Sequence, residues 1–222
     1  MTVAVLFDVD GTLLELDVDI DRVRRDLASM FGHRGYRETF RPVLLRIAQA
    51  ARQVAGDERE VREWIARGYA AIDAAELDAA ARARARPGAA AALEAIHGRG
   101  FPTGLITDNG RACLGIAFES CGLGALSQFR TVVSRDDVEH AKPDPAGVIA
   151  AAAALLPDGG TLWLVGDSPR DVAAGRKARP DLAGIEVRIA AVAGGRGDPA
   201  ELEAAGADAM VASIDEIVEL IG

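Results

Sequence analysis

Val3-Ala4-Val5-Leu6-Phe7-Asp8-Val9-Asp10-Gly11-Thr12 decides how this chain is read. Five apolar residues, suited to a strand, run directly into two carboxylates one residue apart. A strand buried on both faces is costly to end in two charges unless something compensates them. A divalent metal and a reacting phosphate would do so. Each residue type then has a role. Asp8 is a candidate nucleophile and Asp10 an acid beside it.

Beyond this stretch the pattern becomes helical from about residue 19 to residue 86. Ile20, Val23 and Leu27 recur at helical spacing, then Val43, Leu44, Ile47 and Val54. Breaks at residues 32–35, at Gly56-Asp57 and before Pro87 predict three or four helices, with no strand candidate among them. After Pro87-Gly88 the rhythm changes. Strands are expected at residues 103–107, 131–133, 161–165, 185–192 and 209–211. Helices are expected at about residues 89–98, 111–121, 145–156, 169–178 and 214–221. The Ala-rich stretch 79–92 reads as helix-favouring. Alternating strands and helices imply an α/β fold, a doubly wound, Rossmann-like parallel sheet covered on both faces. Its core is expected to comprise residues 1–14 and 87–222. Residues 15–86 form a small all-helical cap inserted after strand one.

The chain has 222 residues, half of them apolar, which is enough for a real core. A net charge of −9 argues against a nucleic-acid partner and against anionic membrane surfaces. No apolar run approaches the roughly 20 residues of a membrane span. The N-terminal apolar run ends in Asp8 and reads as a strand rather than a signal peptide. Cys113 and Cys121 lie eight residues apart on one expected helix, too far for a bridge, and read as free thiols of a cytoplasmic protein. Only three histidines are scattered along the chain, which disfavours zinc. Of the basic residues only Lys142 and Lys177 are lysines, and Lys142 precedes the rigid segment Pro143-Asp144-Pro145.

In open parallel sheets ligands collect at the carboxyl ends of the strands. Asp8 and Asp10 follow the first expected strand, Thr107-Asp108-Asn109 the second, Lys142 lies in the loop after the third, and Gly166-Asp167-Ser168-Pro169-Arg170-Asp171 follows the fourth. Together they supply anionic metal ligands, donors for phosphoryl oxygens and a nucleophile with an acid beside it, a complete set for phosphoryl transfer. A calcium loop starting at Asp8 would need glycine at its sixth position, which is Leu13.

These residues resemble the motifs of the haloacid dehalogenase superfamily of phosphohydrolases. Asp8-Val9-Asp10-Gly11-Thr12 is similar to its first motif, Thr107 to its second, Lys142-Pro143 to its third, and Gly166-Asp167 through Asp171 to its fourth. The helical insert resembles the cap of the phosphoglycolate phosphatase-like subgroup. The resemblance implies Mg²⁺ as cofactor, with Asp8, Asp10 (through its backbone carbonyl), Asp167 and Asp171 around it. It implies that Asp8 attacks phosphorus to form an aspartyl-phosphate, and that Asp10 protonates the leaving alkoxide and then takes a proton from water. Thr107 and Lys142 would hold the phosphoryl oxygens, with Gly11, Asp108 and Asn109 completing the phosphate site. One departure stands out: Asp108 intervenes where the subgroup has Asn directly after Thr. An acidic side chain aimed at a phosphate would repel it, so Asp108 is expected to offer its backbone N–H and point elsewhere, unless the loop has a different shape.

The implied activity is hydrolysis of a small phosphorylated metabolite by a monomer or homodimer. Asp10 argues against a haloalkanoate dehalogenase, whose halide leaving group needs no acid. A phosphonate hydrolase needs a cap lysine, and residues 15–86 contain none. A sugar phosphomutase uses the same Asp8/Asp10 pair and stays open. A non-catalytic phosphate-binding regulatory protein is disfavoured because no catalytic position is substituted. In the cap, Arg34 and Arg37 are candidates to clamp a second anionic group of the substrate.

Overall fold

A computed structural model describes residues 2–222. Strand β1 (Val3–Phe7) is followed by β2 (Leu14–Glu15), then by helices α1 (Ile20–Gly32), α2 (Val43–Val54) and α3 (Glu58–Ala80), and by the short strand β3 (Arg84–Ala85). Helices and strands then alternate. They run α4 (Ala89–Gly98), β4 (Thr103–Ile106), α5 (Arg111–Ser120), β5 (Thr131–Val133), α6 (Ala146–Leu155), β6 (Gly160–Gly166), α7 (Pro169–Ala178), β7 (Ile185–Val192), α8 (Pro199–Ala205), β8 (Ala209–Val211) and α9 (Ile217–Leu220).

Six strands form a parallel sheet in the order β5-β4-β1-β6-β7-β8. Val5 and Phe7 of β1 enter one core with Leu105, Trp163 and Val165, covered by Leu93 and Ile96 of α4 and Leu114 and Phe118 of α5. Ala4 and Leu6 enter the other with Ile106, Leu162 and Leu164, covered by Val148 of α6 and Val172 of α7. Burial on both faces is why β1 reads as an unbroken apolar run. The chain leaves β1 toward β4 and β5, then returns to β6 on the other side. The connections therefore reverse beside β1 and open a crevice at its carboxyl end.

Helices α1–α3 bury a third cluster, among them Val23, Leu27, Phe31, Ile47, Trp64 and Ile72. The Phe31 ring lies 5.0 Å from Trp64 and 5.4 Å from Phe40, distances at which aromatic pairs attract. Three helices fill this segment, and they are not its whole content. β3 pairs antiparallel with β2 through Leu14↔Ala85 and Glu15↔Arg84, so the expectation of no strand between residues 19 and 86 fails. Two-residue strands carry no periodicity to read, and their pairing is tertiary. The same pairing overrides the helix preference of the Ala-rich stretch 79–92. The chain leaves α3 after Ala80, Ala83 packs into the sheet core, and the Arg86 N–H donates to the Leu13 carbonyl at 2.9 Å. At the C-terminus, the helix expected over residues 214–221 begins as a 3-10 turn, Ile214–Glu216, before α9.

A buried ion pair ties α3 to the sheet. The Arg135 guanidinium, just beyond β5, meets Glu76 of α3 in a fork, with contacts of 2.9 and 3.1 Å, and also pairs with Asp73. Arg135 and Glu76 are each almost fully enclosed. Burial and the Glu76 charge push the neighbouring Cys113 thiol up to about 12, so it stays protonated. No disulfide forms, and no helix among the described residues is long and apolar enough to cross a membrane.

Removing one partner of a buried pair leaves the other charge uncompensated. Glu76→Ala is expected to cost about 3–5 kcal/mol of stability. Asp73→Ala, whose carboxylate is 42% exposed, is expected to cost about 1 kcal/mol or less. Urea unfolding of the two variants checks this ranking.

Candidate active site

The carboxyl end of β1 turns tightly. Asp8 still bonds the sheet, its N–H donating to the Val165 carbonyl at 2.8 Å, while the N–H groups of Thr12 and Leu13 fold back onto the Val9 carbonyl. Gly11 adopts φ 96°, in the left-handed region, and any Cβ there would overlap the Asp167 carboxylate. The turn therefore needs glycine for both conformation and space. It holds Asp8 and Asp10 buried at the floor of the crevice, and Thr12 sends its hydroxyl to Asp8 at 3.3 Å and to Asp167 at 3.2 Å.

The ends of β4, β5, β6 and β7 converge on this floor. Lys142 reaches in from the loop after β5, its Nζ 2.5 Å from Asp8 Oδ1 and 2.6 Å from Asp171 Oδ1. Asp171 sits in the first turn of α7, where its other oxygen accepts from the Ser168 N–H at 3.1 Å and the Ser168 hydroxyl at 2.5 Å. One carboxylate thus caps the helix and orients the lysine. Asp167, at the end of β6, completes a group of three buried carboxylates. Oxygens of Asp8, Asp167 and Asp171 lie within 4.8 Å of one another.

The charges in this corner do not balance. Three carboxylates face one ammonium. Burial pushes the Asp8 carboxyl well above the usual carboxylate range. Lys142 attracts its charged form, while Asp171 and Asp167 repel it. Burial also raises Asp10, against the attraction of Arg196. Burial alone would lower Lys142, but Asp171, Asp8 and Asp108 hold its ammonium well above the ordinary lysine value. A hard dication with oxygen ligands fits this surplus of negative charge, and Asp8, Asp167 and Asp171 are the side chains able to hold it.

The loop after β4 brings Thr107, Asp108 and Asn109 to the same edge. Thr107 is buried and its hydroxyl donates to Asn109 Oδ1 at 2.8 Å. The Asn109 amide donates in turn to Glu76 at 3.1 Å, and the Gly110 N–H to the same carboxylate at 2.9 Å. The Asp108 side chain is turned aside. It accepts from the Lys142 backbone N–H at 3.0 Å and pairs with Arg170 at 2.8 Å. An acid after Thr107 is therefore tolerable, because its charge is already engaged.

Asp8, Asp10, Gly11, Thr107, Asp108, Asn109, Lys142, Asp167 and Asp171 thus meet at one edge of the sheet. Arg34 and Arg37 do not join them. Arg34 lies over Trp64 at 5.6 Å, and Arg37 donates to the carbonyls of Gly32 at 2.7 Å and Tyr36 at 3.1 Å, at the end of α1. Sequence reasoning overlooked three residues that the crevice does use. Arg196, from the loop after β7, pairs its guanidinium with Asp10 and gives its backbone N–H to Asp167 at 2.6 Å. The glycines around it, Gly194-Gly195-Arg196-Gly197 at a strand's carboxyl end, were a legible signal for a ligand loop. Glu76 and Arg135 left none, since a glutamate on an amphipathic helix reads as a solvated face.

A profile of haloacid dehalogenase-like hydrolases matches residues 2–179. The phosphoglycolate phosphatase encoded on a plasmid of Cupriavidus necator is 34% identical, covering 98% of this chain and 92% of that protein. The pyrophosphatase PpaX of Anoxybacillus flavithermus is 30% identical, covering 82% of each chain. A hydrolase of Pseudomonas syringae superimposes with a TM-score of 0.70 at 19% identity, covering 97% of this chain and 96% of its own. The chain belongs to the haloacid dehalogenase-like hydrolases, as a phosphatase of the phosphoglycolate phosphatase-like subgroup.

Proposed function

We propose that this protein is a Mg²⁺-dependent phosphatase that hydrolyses a small phosphorylated metabolite through an aspartyl-phosphate on Asp8. The observation that carries this reading is the buried Asp8–Lys142–Asp171 contact beside Asp167, a site with more negative charge than its one lysine offsets. Asp8 attacks phosphorus, the bond to the leaving oxygen breaks, and Asp10 gives its proton to that oxygen. A water then attacks the aspartyl-phosphate and passes a proton to Asp10, and the bond to Asp8 breaks, releasing inorganic phosphate. Both carboxylates return to their starting states. Thr107 and Lys142 hold the charge on the phosphoryl oxygens. Burial keeps Asp10 protonated to a higher pH than a free aspartate, which suits an acid. Mg²⁺, with Asp8, the Asp10 carbonyl, Asp167 and Asp171 around it, would offset the repulsion between Asp8 and a phosphate dianion.

Residues 15–86 act as a cap over this crevice, with the β2–β3 pair as the link to a core of residues 1–14 and 87–222. Closure of the cap excludes bulk water while the phosphoryl group is transferred to Asp8, and reopening admits the water that attacks the aspartyl-phosphate.

Asp8→Asn keeps the shape and the contact to Lys142 but removes the nucleophile. It is expected to lower kcat on p-nitrophenyl phosphate by about 10³-fold or more with little change in Tm. Turnover retained within tenfold would exclude the covalent route.

Protons compete with the metal for Asp8, and burial moves that competition to higher pH than for a free aspartate. Mg²⁺ is expected to raise Tm at neutral pH. The gain should shrink on acidification, as Asp8 takes up its proton. Differential scanning calorimetry with and without Mg²⁺ across pH measures this, and a gain that grows toward acid pH would contradict it.

A further inference from the structure

Arg196 is the arginine in direct contact with Asp10, and its setting differs from that of a packing residue. Its side chain is 61% exposed, whereas the Asp10 carboxylate it meets is buried. Among the described residues Asp10 is the one partner of its guanidinium, through Nη2. A guanidinium carries five N–H donors, so most of its hydrogen-bonding capacity is unused and faces solvent at the mouth of the crevice.

The backbone beneath Arg196 is held firmly. Its N–H donates to Asp167 Oδ2 at 2.6 Å, and the Gly197 N–H to the Asp167 carbonyl at 2.9 Å. A Cβ on Gly195 would run into the Asp167 side chain, so this close seat requires glycine. Arg86, beyond β3, donates to the Gly194 carbonyl at 2.8 Å and the Ala193 carbonyl at 3.3 Å. A firmly held loop therefore projects one exposed cation beside Asp10.

We infer that Arg196 recognises the leaving group. It selects substrates whose leaving portion bears a carboxylate or a phosphate within a few atoms of the departing oxygen. This rests on the reading of Asp10 as the acid for that oxygen. To be protonated by Asp10, the leaving oxygen must lie within hydrogen-bond reach of its carboxyl group. Arg196 touches the same carboxyl group, so whatever is attached to the leaving oxygen lies within reach of its free donors. A planar fork of donors suits a carboxylate or phosphate better than a neutral hydroxyl or sugar ring. Phosphoglycolate, which releases a carboxylate-bearing alcohol, and pyrophosphate, which releases phosphate, both meet this condition. Arg34 and Arg37 are already engaged at the end of α1.

The test compares kcat/KM with Mg²⁺ for phosphoglycolate, pyrophosphate and ethylene glycol monophosphate, a neutral counterpart in which –CH₂OH replaces the carboxylate. The wild-type protein is expected to favour at least one of the two anionic substrates. Arg196→Gln is expected to lower the anionic-to-neutral ratio at least tenfold, with Arg196→Lys in between. The ratio of phosphoglycolate to ethylene glycol monophosphate is the decisive readout, because both release an alkoxide and a loss that acts only through Asp10 lowers them alike. An unchanged ratio, or a wild-type ratio near one, overturns the inference. So does a ratio that falls in Arg34→Gln or Arg37→Gln but not in Arg196→Gln. Wild-type protein inert on all three and on p-nitrophenyl phosphate would instead remove the phosphatase reading itself, and this inference with it.

Discussion

The Lys142 ammonium lies 2.5 Å from Asp8 and 2.6 Å from Asp171, in a corner from which water is nearly excluded. Much of the surrounding structure serves that contact. Asp171 can hold the lysine because Ser168 fixes its other oxygen at the start of α7. The lysine backbone is held from both sides, its N–H by Asp108 and its carbonyl by Arg170, whose guanidinium also binds Asp108. The segments that follow β1, β4, β5 and β6 are thereby locked around one cation. A buried lysine with two carboxylates is favourable only while its geometry is kept. The parallel sheet keeps it, because β1, β5 and β6 each end at the same edge.

Much of this edge was legible in the chain itself. Asp8, Asp10 and Asp167 are set immediately after apolar strands, where burial makes a charge conspicuous, and Lys142 stands out as one of two lysines, ahead of a rigid proline segment. The strand and helix alternation after residue 87 was legible for the same reason, since each element carries its own periodicity. The unread parts depend on partners far away in sequence. β2 and β3 are two residues each and exist only by pairing across about seventy residues. Glu76 and Arg135 look like surface charges until α3 is laid against the segment just after β5, 59 residues away in the chain. The departure at Asp108 was legible as a problem. Its solution, capture by Arg170 and the Lys142 N–H, was one of the two outcomes the sequence left open.

The helical layer and the crevice are linked at two points of different character. Glu76 connects α3 to the Thr107–Gly110 loop through a buried, charge-assisted network. Arg86 connects the end of β3 to the Gly194 loop through carbonyl contacts. The first is expensive to break and makes the C-terminal end of α3 a support for the Thr107–Gly110 loop. The second joins the strand pair flanking the helices to the loop that carries Arg196. The strand pair at the base of the helices is thus bonded to the loop whose Arg196 meets Asp10.

Covalent phosphorylation of Asp8 is the step on which the proposed reaction turns. The most direct measurement is to quench the protein during turnover, reduce any acyl phosphate with borohydride and map the product by mass spectrometry. The account predicts substrate-dependent modification at Asp8 and nowhere else. Turnover without any modification, or modification at a different carboxylate, would contradict it.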